Sequence, residues 1–397
     1  MFYKFIYTSK FLLFSFLLVI ILGVLQRAYF IGINVYLPYK NLLHSHSHFA
    51  FSGWISQSLF YLINQMLWKD DLWPKKIRFA YLFHFLCSYG MLFSFLYQSY
   101  GPISITFSTL SIFSGYIYAL FLFLEIKNDK SISFIFLRFA LIFLIVSSIG
   151  TYYLAYLMAI KNTDLILKQN TISFYLHFQY NGWFFFAFLS IIFHYFKESF
   201  LQFNKKWIYL LFLTTTISYC FLIDNQQQPI FNVFLLLVAF INILLFLKIM
   251  KILYLNVKSS TEINNIFKNG LMTIFFFIVI KSFFQFISIL PYFSSIIKLN
   301  HALLINYLHF VFLLIYSFFI LVFLYVTKHI FLPQYRNKLF VIFIILLVLN
   351  QLGLLLKSFD LTKNWTIFLN QFLFVLSIFL MLNFVTLISL NKKTAAF

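Results

Sequence analysis

Long apolar runs, separated by short polar stretches, occupy almost the whole chain. A run of about 18 or more apolar residues is what a helix needs to cross the hydrocarbon core of a bilayer. Only helices and closed barrels satisfy all backbone polar groups in lipid, and these runs are continuous rather than alternating, so they predict helices. Charged residues make up 10% of the chain, against about a quarter in soluble domains, which excludes a soluble globular protein.

Residues that commonly end helices, chiefly Lys, Asn, Asp, Gly and Pro, divide the apolar runs into twelve predicted spans. The predicted spans are residues 9–32, 44–67, 78–99, 103–126, 134–160, 171–196, 206–224, 229–252, 267–292, 300–326, 337–357 and 365–390. No connection between them is long enough for a soluble domain. We therefore expect an all-α membrane protein in which residues 1–397 form one polytopic transmembrane domain, with the lipid bilayer as its main partner.

The formal charge of +20 fits either a nucleic-acid partner or the basic cytoplasmic loops of a membrane protein. If the N-terminus is cytoplasmic, 20 Lys and Arg residues fall on the inner side of the membrane and seven on the outer side. Positive residues concentrate on the cytoplasmic side of membrane proteins. The distribution therefore predicts a bacterial inner-membrane protein with both termini in the cytoplasm, and no nucleic-acid partner.

Three histidines recur at nearly constant spacing, on predicted helices 2, 6 and 10. His-Phe-Ala-Phe-Ser-Gly-Trp at 48–54 matches His-Phe-Gln-Tyr-Asn-Gly-Trp at 177–183, and His-Phe-Val-Phe recurs at 309–312. The histidines lie 129 and 132 residues apart, which is a period of four predicted helices. Repetition at a fixed period indicates a repeated architecture. The spacing predicts three repeats of four helices each.

His48, His177 and His309 fall at related depths, because helices 2, 6 and 10 all enter the membrane from the outer face. His44 and His48 are four residues apart and share a helix face, whereas His46 points elsewhere. Imidazoles that converge in a helical bundle suit haem iron or copper. The alternative is that they form hydrogen bonds between helices and bind no cofactor.

Twelve helices in three four-helix arcs, with histidines on helices 2, 6 and 10, resemble the heme-copper oxidase subunit I superfamily. That superfamily includes terminal oxidases, nitric oxide reductases and non-respiratory relatives, and an NnrS-like haem and copper protein is a related alternative. The segment Leu-His-Ser-His-Ser-His-Phe-Ala-Phe-Ser-Gly-Trp at 43–54 resembles helix 2 of the oxidase-like relatives. The resemblance covers the whole chain by topology, but its specific motifs cover only a small part of the chain.

The resemblance implies that a low-spin b-type haem is held by His48, or by His44 in another register, together with His309. It also implies that His177 corresponds to a copper ligand. Tyr307 stands where the family places the ligand of the high-spin haem. The histidine pair on helix 7 that completes the copper site is absent, since residues 214–220 read Thr-Thr-Thr-Ile-Ser-Tyr-Cys.

These departures predict a protein that is not a working oxygen reductase. One hypothesis is a haem-binding protein that acts in electron transfer, in a nitric oxide or metal response, or as an accessory redox subunit. The alternative is a cofactor-free scaffold that assembles with other membrane subunits of a larger complex. A transporter is a third hypothesis, which the threefold repeat disfavours because transporters more often use paired repeats.

Lys281 is predicted to lie inside span 9, with Gln285 one turn later. A lysine near the bilayer centre costs roughly 2.5–3.5 kcal/mol on insertion scales, so we expect it to have a partner or to face a cavity. Arg27, Lys357 and Lys363 lie at the outer ends of their spans, at a depth suited either to haem propionates or to anchoring at the membrane surface.

Overall fold

A computed structural model gives the structure of the protein. It describes residues 8–68, 72–196, 203–222, 229–260, 265–290, 292–293, 296–297, 300–326, 336–359 and 362–389. The predicted cytoplasmic termini lie outside the described residues at both ends of the chain, so their location stays a prediction.

Twelve helices, numbered here α1 to α12, account for most of the described residues, which contain no β-strand. In chain order they are α1 (Ser9–Phe30), α2 (Tyr39–Phe49, Ala50–Ser56 and Gln57–Leu67), α3 (Lys75–Gln98), α4 (Pro102–Ile126), α5 (Ile132–Ala159), α6 (Leu165–His177, Phe178–Trp183 and Phe184–Tyr195), α7 (Lys206–Ile217 and Ser218–Leu222), α8 (Pro229–Ser259), α9 (Asn265–Ile287), α10 (His301–His309, Phe310–Ser317 and Phe318–Val326), α11 (Arg336–Lys357) and α12 (Lys363–Ser389).

Within the described residues, ten helices are long and apolar enough to cross a membrane, namely α1, α3 to α6 and α8 to α12. The prediction of an all-α, multi-pass membrane protein is therefore confirmed. The other two predicted spans, 44–67 and 206–224, coincide with α2 and α7, which are helical as well. The first part of α2 is the more polar because it carries three histidines among serines and an asparagine.

Three helices, α2, α6 and α10, each contain a segment of π-helix in the middle of their length. These segments are Ala50–Ser56, Phe178–Trp183 and Phe310–Ser317, and they begin one or two residues after His48, His177 and His309. π-Helical turns are rare and are often found at functional sites. The three repeated sequences thus share an unusual backbone conformation at the same place.

The helices form a closed ring, since each packs against its neighbour in sequence and α12 packs against α1. Burial distinguishes the centre of this ring from its edge. The apolar segment of α6 is 94% buried and that of α10 is 72% buried, whereas those of α4 and α11 are each 28% buried. α6 and α10 are therefore central, and α4 and α11 present most of their surface to lipid.

Side chains on α2, α6 and α10 connect these helices at the centre of the bundle. The indole Nε1 of Trp54 on α2 donates to the Ser317 hydroxyl on α10, at 2.8 Å. The indole Nε1 of Trp183 on α6 donates to the Ser56 hydroxyl on α2, at 3.4 Å. Trp54 and Trp183 occupy the same position in the repeated sequence, as do Ser56 and Ser317, so the two contacts are equivalent.

The third contact at the centre joins α10 to α6 by a different pair of groups. The Tyr316 hydroxyl on α10 donates to the backbone carbonyl of Tyr180 on α6. Aromatic rings fill the space between the three helices, as where Phe51 of α2 meets Phe312 of α10 edge to face, with ring centroids 4.4 Å apart. Aromatic side chains therefore pack between α2, α6 and α10 at the centre of the bundle.

Candidate functional site

His46 on α2 points toward α1 and is fixed there by the backbone of that helix. Its Nδ1 lies 3.1 Å from the carbonyl oxygen of Val19. A carbonyl oxygen only accepts, so Nδ1 carries the proton and Nε2 is left with its lone pair. Nε2 has no hydrogen-bond partner among the described residues. A Cβ atom added at Gly23 of α1 would lie 3.6 Å from the imidazole carbon Cε1, so α1 approaches this ring closely.

His309 on α10 has the same protonation pattern. Its Nδ1 lies 2.8 Å from the carbonyl oxygen of Ile305, one turn earlier on the same helix. Nδ1 therefore carries the proton, and Nε2 has no partner within the described part of the chain. Histidines that bind metals commonly donate their other ring N–H to a carbonyl or carboxylate, which fixes the orientation of the ring. His46 and His309 both have this arrangement.

His46 and His309 lie close enough for their charges to interact, and Arg27 of α1 is within the same range of both. Both residues are only partly buried. The structure therefore brings together an imidazole from α2 and one from α10, both with an open Nε2.

One cation, Arg27, lies near the imidazole pair, and a second, Lys357, lies near Arg27. Arg27 donates from Nη1 to the carbonyl oxygen of Leu373 at 2.7 Å and from Nη2 to Oδ1 of Asn350 at 2.6 Å, which ties α1 to α12 and α11. The Nζ atom of Lys357 lies 4.1 Å from the ring centroid of Phe30 and within charge range of Arg27. Neither cation has a carboxylate partner among the described residues.

His48 and His44, which the sequence favoured as partners of His309, lie on another side of α2. Nε2 of His48 is 2.9 Å from the Tyr100 hydroxyl, and its ring stacks on Phe95 with centroids 4.3 Å apart and planes 7° apart. The His44 ring meets the Tyr100 ring edge to face at 4.6 Å. Two residues turn an α-helix by roughly 200°. When His46 faces α1, His48 and His44 therefore face α3 on the other side of α2. The helix 2 histidine near His309 in the structure is therefore His46, whereas His48 and His44 lie beside Tyr100.

His177 on α6 is buried, and both of its ring nitrogens are engaged. Its Nε2 donates to the carbonyl oxygen of Thr215 on α7, at 2.9 Å. Its Nδ1 accepts from the Nδ2 group of Asn181, one turn later on α6, at 3.1 Å. An imidazole with this bonding is neutral and has no lone pair left for a metal ion. The described residues contain no group of three His, Cys, Asp or Glu that could hold a metal ion. The donor set therefore does not fit the copper site that the sequence pattern suggested.

Lys281 and Gln285 of α9 converge on the same asparagine. Lys281 is 1% exposed and donates from Nζ to Oδ1 of Asn181. Gln285 donates from Nε2 to that oxygen as well, at 3.0 Å. The Lys281 ammonium lies 5.5 Å from the ring centroids of Tyr180 and Phe185. The expectation that Lys281 has a polar partner is confirmed, and the partner is an amide rather than a carboxylate.

Tyr307 of α10 lies beside this polar cluster and separately from His309. Its hydroxyl oxygen is buried and has no hydrogen-bond partner within the described part of the chain, although the hydroxyl of Tyr180 and the Gln285 amide are close by. The sequence singled out His177 but gave no sign that Asn181 connects it to Lys281. In the repeated motif, Asn181 is one of the positions that differ between the copies, so the motif does not mark it as important. Its role arises from the packing of α6 against α9.

A second polar region, which the sequence did not predict, surrounds His84 of α3. Its Nδ1 lies 2.8 Å from the Ser114 hydroxyl on α4, and its Nε2 lies 3.3 Å from the Ser52 carbonyl on α2. Ser52 also shares a hydrogen bond with Ser88. A cavity of about 60 Å³ borders these groups and extends to Gln179 of α6. That volume suits about two water molecules. Serines of this kind give no signal in a sequence because they are common in apolar helices.

Comparison with protein-family models and with curated proteins gives no match to this chain.

Proposed function

We propose that this protein is a haem-binding membrane protein of the heme-copper oxidase subunit I type, in which His46 and His309 are the two axial ligands of one low-spin b-type haem. The observation that carries the proposal is the pair of neighbouring imidazoles, each with Nδ1 held by a backbone carbonyl and Nε2 open. Imidazole nitrogens are good ligands for haem iron, and anchoring of the second nitrogen orients the ligand.

The arrangement of the central helices supports the resemblance to this superfamily. α2, α6 and α10 share a histidine, a following π-helical segment and a central position, and they recur every four helices. The equivalent contacts Trp54 to Ser317 and Trp183 to Ser56 relate the repeats by the same sense of rotation. We infer three pseudo-symmetric arcs of four helices, with α2 and α7 included among twelve transmembrane helices.

The residues around the imidazole pair suit a haem group. Arg27 and Lys357 are cations with no carboxylate partner among the described residues, so they could hold the two negatively charged haem propionates. Gly23 leaves room beside the His46 ring. A haem held through Nε2 of both His46 and His309 would supply one-electron transfer rather than oxygen binding.

We assign electron transfer, rather than oxygen reduction, to this protein. Oxygen reduction in the superfamily requires a high-spin haem that faces a copper ion. Tyr307 stands at the place of the high-spin haem ligand, and both nitrogens of His177 are engaged with Thr215 and Asn181. We therefore propose an electron-transfer or accessory redox subunit of the bacterial inner membrane, with both termini in the cytoplasm. Its redox partners are other membrane subunits or small carriers.

The experiment is an optical spectrum of the detergent-purified protein, oxidised and reduced with dithionite, with iron and copper assayed on the same sample. We expect sharp bands in the reduced spectrum, one iron per chain and no copper. A folded protein that is colourless and free of iron, even after expression with added haem, would contradict the proposal.

The second candidate function is a cofactor-free scaffold that assembles with other membrane subunits. The bonding of His48 and His177 favours it, because both side chains make the interhelical hydrogen bonds expected of structural histidines. Under this alternative, His46 and His309 are structural as well. Replacing either one then changes stability but leaves the optical spectrum of the protein unchanged.

A further inference from the structure

We propose that Lys281 of α9, with Gln285 and Tyr307 beside it, forms a binding site for one small monovalent anion. This site is separate from His46 and His309, and the inference does not rest on haem binding. It follows from the direction of the hydrogen bonds around Lys281, from the local charge and from the donors that are left without an acceptor.

The hydrogen bonds around Lys281 all run in one direction. Lys281 donates to Oδ1 of Asn181, Asn181 donates to Nδ1 of His177, and His177 donates to the carbonyl oxygen of Thr215. The chain ends at a backbone carbonyl, which only accepts. Each group therefore presents an acceptor toward Lys281. An amide side chain stands in the middle, so the chain is suited to orient Lys281 and not to carry protons.

The charge of this ammonium is not balanced by any described residue. The described residues contain a single ion pair, between Lys76 and Glu125 at the ends of α3 and α4. Around Lys281 the nearest groups are an amide oxygen and the faces of Tyr180, Phe185 and Phe246. A charge buried within a membrane protein is costly without a partner and usually marks a functional site. A bound anion with a single negative charge would balance the ammonium of Lys281.

The groups that remain free beside Lys281 are hydrogen-bond donors. The ammonium has three N–H groups, of which one is given to Asn181. The Gln285 amide has a second N–H after the one that it gives to Asn181. The Tyr307 hydroxyl is buried and has no hydrogen-bond partner among the residues that the structure describes. Asn181 Oδ1 already accepts from two donors, so a bound anion would give the remaining donors an acceptor.

The chemistry of the site defines the class of ligand. A single cation selects a monovalent anion, and the enclosure of Lys281, which is 1% exposed, selects a small one. Chloride, nitrate and formate meet both conditions. Divalent sulfate and bulky gluconate do not, because the first carries an excess charge and the second does not fit an enclosed site.

The experiment measures the thermal unfolding midpoint of the purified full-length protein as chloride replaces gluconate at constant ionic strength. A ligand that binds only the folded state raises the midpoint in a saturable way. We expect a saturable single-site rise for the wild type and none for Lys281→Met. Tyr307→Phe, which removes one donor oxygen, should weaken the apparent chloride affinity several-fold.

Lys248→Met is the matched control, because Lys248 is also a helix lysine that lies over an aromatic ring, 3.6 Å from the centroid of Trp207, but is exposed. It should keep the full chloride response. In gluconate alone, Lys281→Met should be at least as stable as the wild type, since it removes a buried charge that has no anion. The inference fails if chloride, nitrate and formate all leave the wild-type midpoint unchanged, or if Lys281→Met responds to chloride as the wild type does.

Discussion

Asn181 is the residue that holds the polar cluster of α6 and α9 together. Its carbonyl oxygen accepts from Lys281 and Gln285, and its amide nitrogen donates to His177. It is 4% exposed, so water cannot easily replace these partners. One side chain therefore satisfies groups on two helices within the apolar interior.

Replacement of Asn181 by Leu should destabilise the protein by roughly 3 kcal/mol, because it leaves the Lys281 ammonium without its acceptor in a buried place. The measurement is the thermal or denaturant midpoint in detergent. The double variant Asn181→Leu/Lys281→Met is the matched control. It should be more stable than Asn181→Leu alone, since the charge that needs the amide is gone. Equal stability of the single and double variants would contradict this account of Asn181.

The choice among His44, His46 and His48 is a second matter of single residues. The sequence places all three in one short polar stretch and indicates that His44 and His48 share a face. It cannot say which face meets α1, because that depends on the rotation of α2 about its axis. The close approach of α1, with Val19 bonded to the His46 ring, fixes that rotation. The sequence therefore could not identify which imidazole faces α1.

At the scale of helices, apolar length predicts the position of a span well, and local polar groups set where it begins. Predicted span 103–126 matches α4, Pro102–Ile126, within one residue. α6 instead begins well before its predicted start at residue 171, because the Asp164 side chain accepts from the backbone N–H of Leu167, at 3.0 Å, and caps the helix. Hydropathy alone does not predict a helix start that is set by a capping side chain such as that of Asp164.

The π-helical segments of α2, α6 and α10 were also not predictable. A π-turn has one more residue than an α-turn, so residues beyond it face a different direction from the one that a period of 3.6 predicts. Repetition of the histidine motif indicated that the three helices are related, but the motif itself carries no signal for this backbone conformation. Faces beyond His48, His177 and His309 could therefore be assigned only from the structure.

Close packing of α5 against α6 depends on Gly150. A Cβ atom at this position would lie 2.6 Å from the carbonyl oxygen of Thr171 and 2.9 Å from the backbone nitrogen of Tyr175. Backbone atoms cannot move aside as a flexible side chain can. Gly150→Ala should therefore destabilise the protein by about 1–3 kcal/mol, despite the better helix propensity of alanine.

Gly115→Ala on α4 is the control for this helix contact. Its added methyl would meet only the Leu144 side chain, at an ordinary distance of 3.8 Å. We expect it to be neutral or slightly stabilising, because alanine is the better helix former. Thermal midpoints of the two variants in the same detergent provide the comparison. A Gly150→Ala protein as stable as Gly115→Ala would show that α5 and α6 are not packed in this way.

At the scale of the whole molecule, the distribution of Lys and Arg predicts the orientation of the bundle in the membrane. Tyr36, which is 94% exposed between α1 and α2, should lie on the outer side. Asn128, which is exposed between α4 and α5, should lie in the cytoplasm. Both positions lie outside the helices, so a cysteine at either one should be accessible to a reagent on its own side.

Intact spheroplasts that carry Tyr36→Cys should react with a membrane-impermeant maleimide. Those that carry Asn128→Cys should react only after the membrane is opened. The wild type supplies the background, since Cys87 and Cys220 both lie in helices of the bundle. The reverse labelling pattern would show that the protein has the opposite orientation in the membrane. Labelling of both positions in intact cells would contradict the odd number of spans between them.

The whole bundle can be viewed as three polar regions arranged around one aromatic core. The first is the imidazole pair of α2 and α10, the second is the hydroxyl-lined cavity beside His84, and the third is the cluster around Lys281. The two imidazoles of the first region have open nitrogens, whereas the imidazoles of the other two are engaged in hydrogen bonds. This difference places the proposed haem in the first region.

The most direct test of this assignment is the haem content of three purified variants, His46→Ala, His309→Ala and His48→Ala, measured per folded chain from the reduced optical spectrum. We predict that His46→Ala and His309→Ala lose the bands of the bis-imidazole haem, and that His48→Ala keeps them at the wild-type position and intensity. Loss of the bands in His48→Ala, with retention in His46→Ala, would contradict the assignment. If all three variants had equal spectra, the haem could not be bound by histidines of α2 and α10.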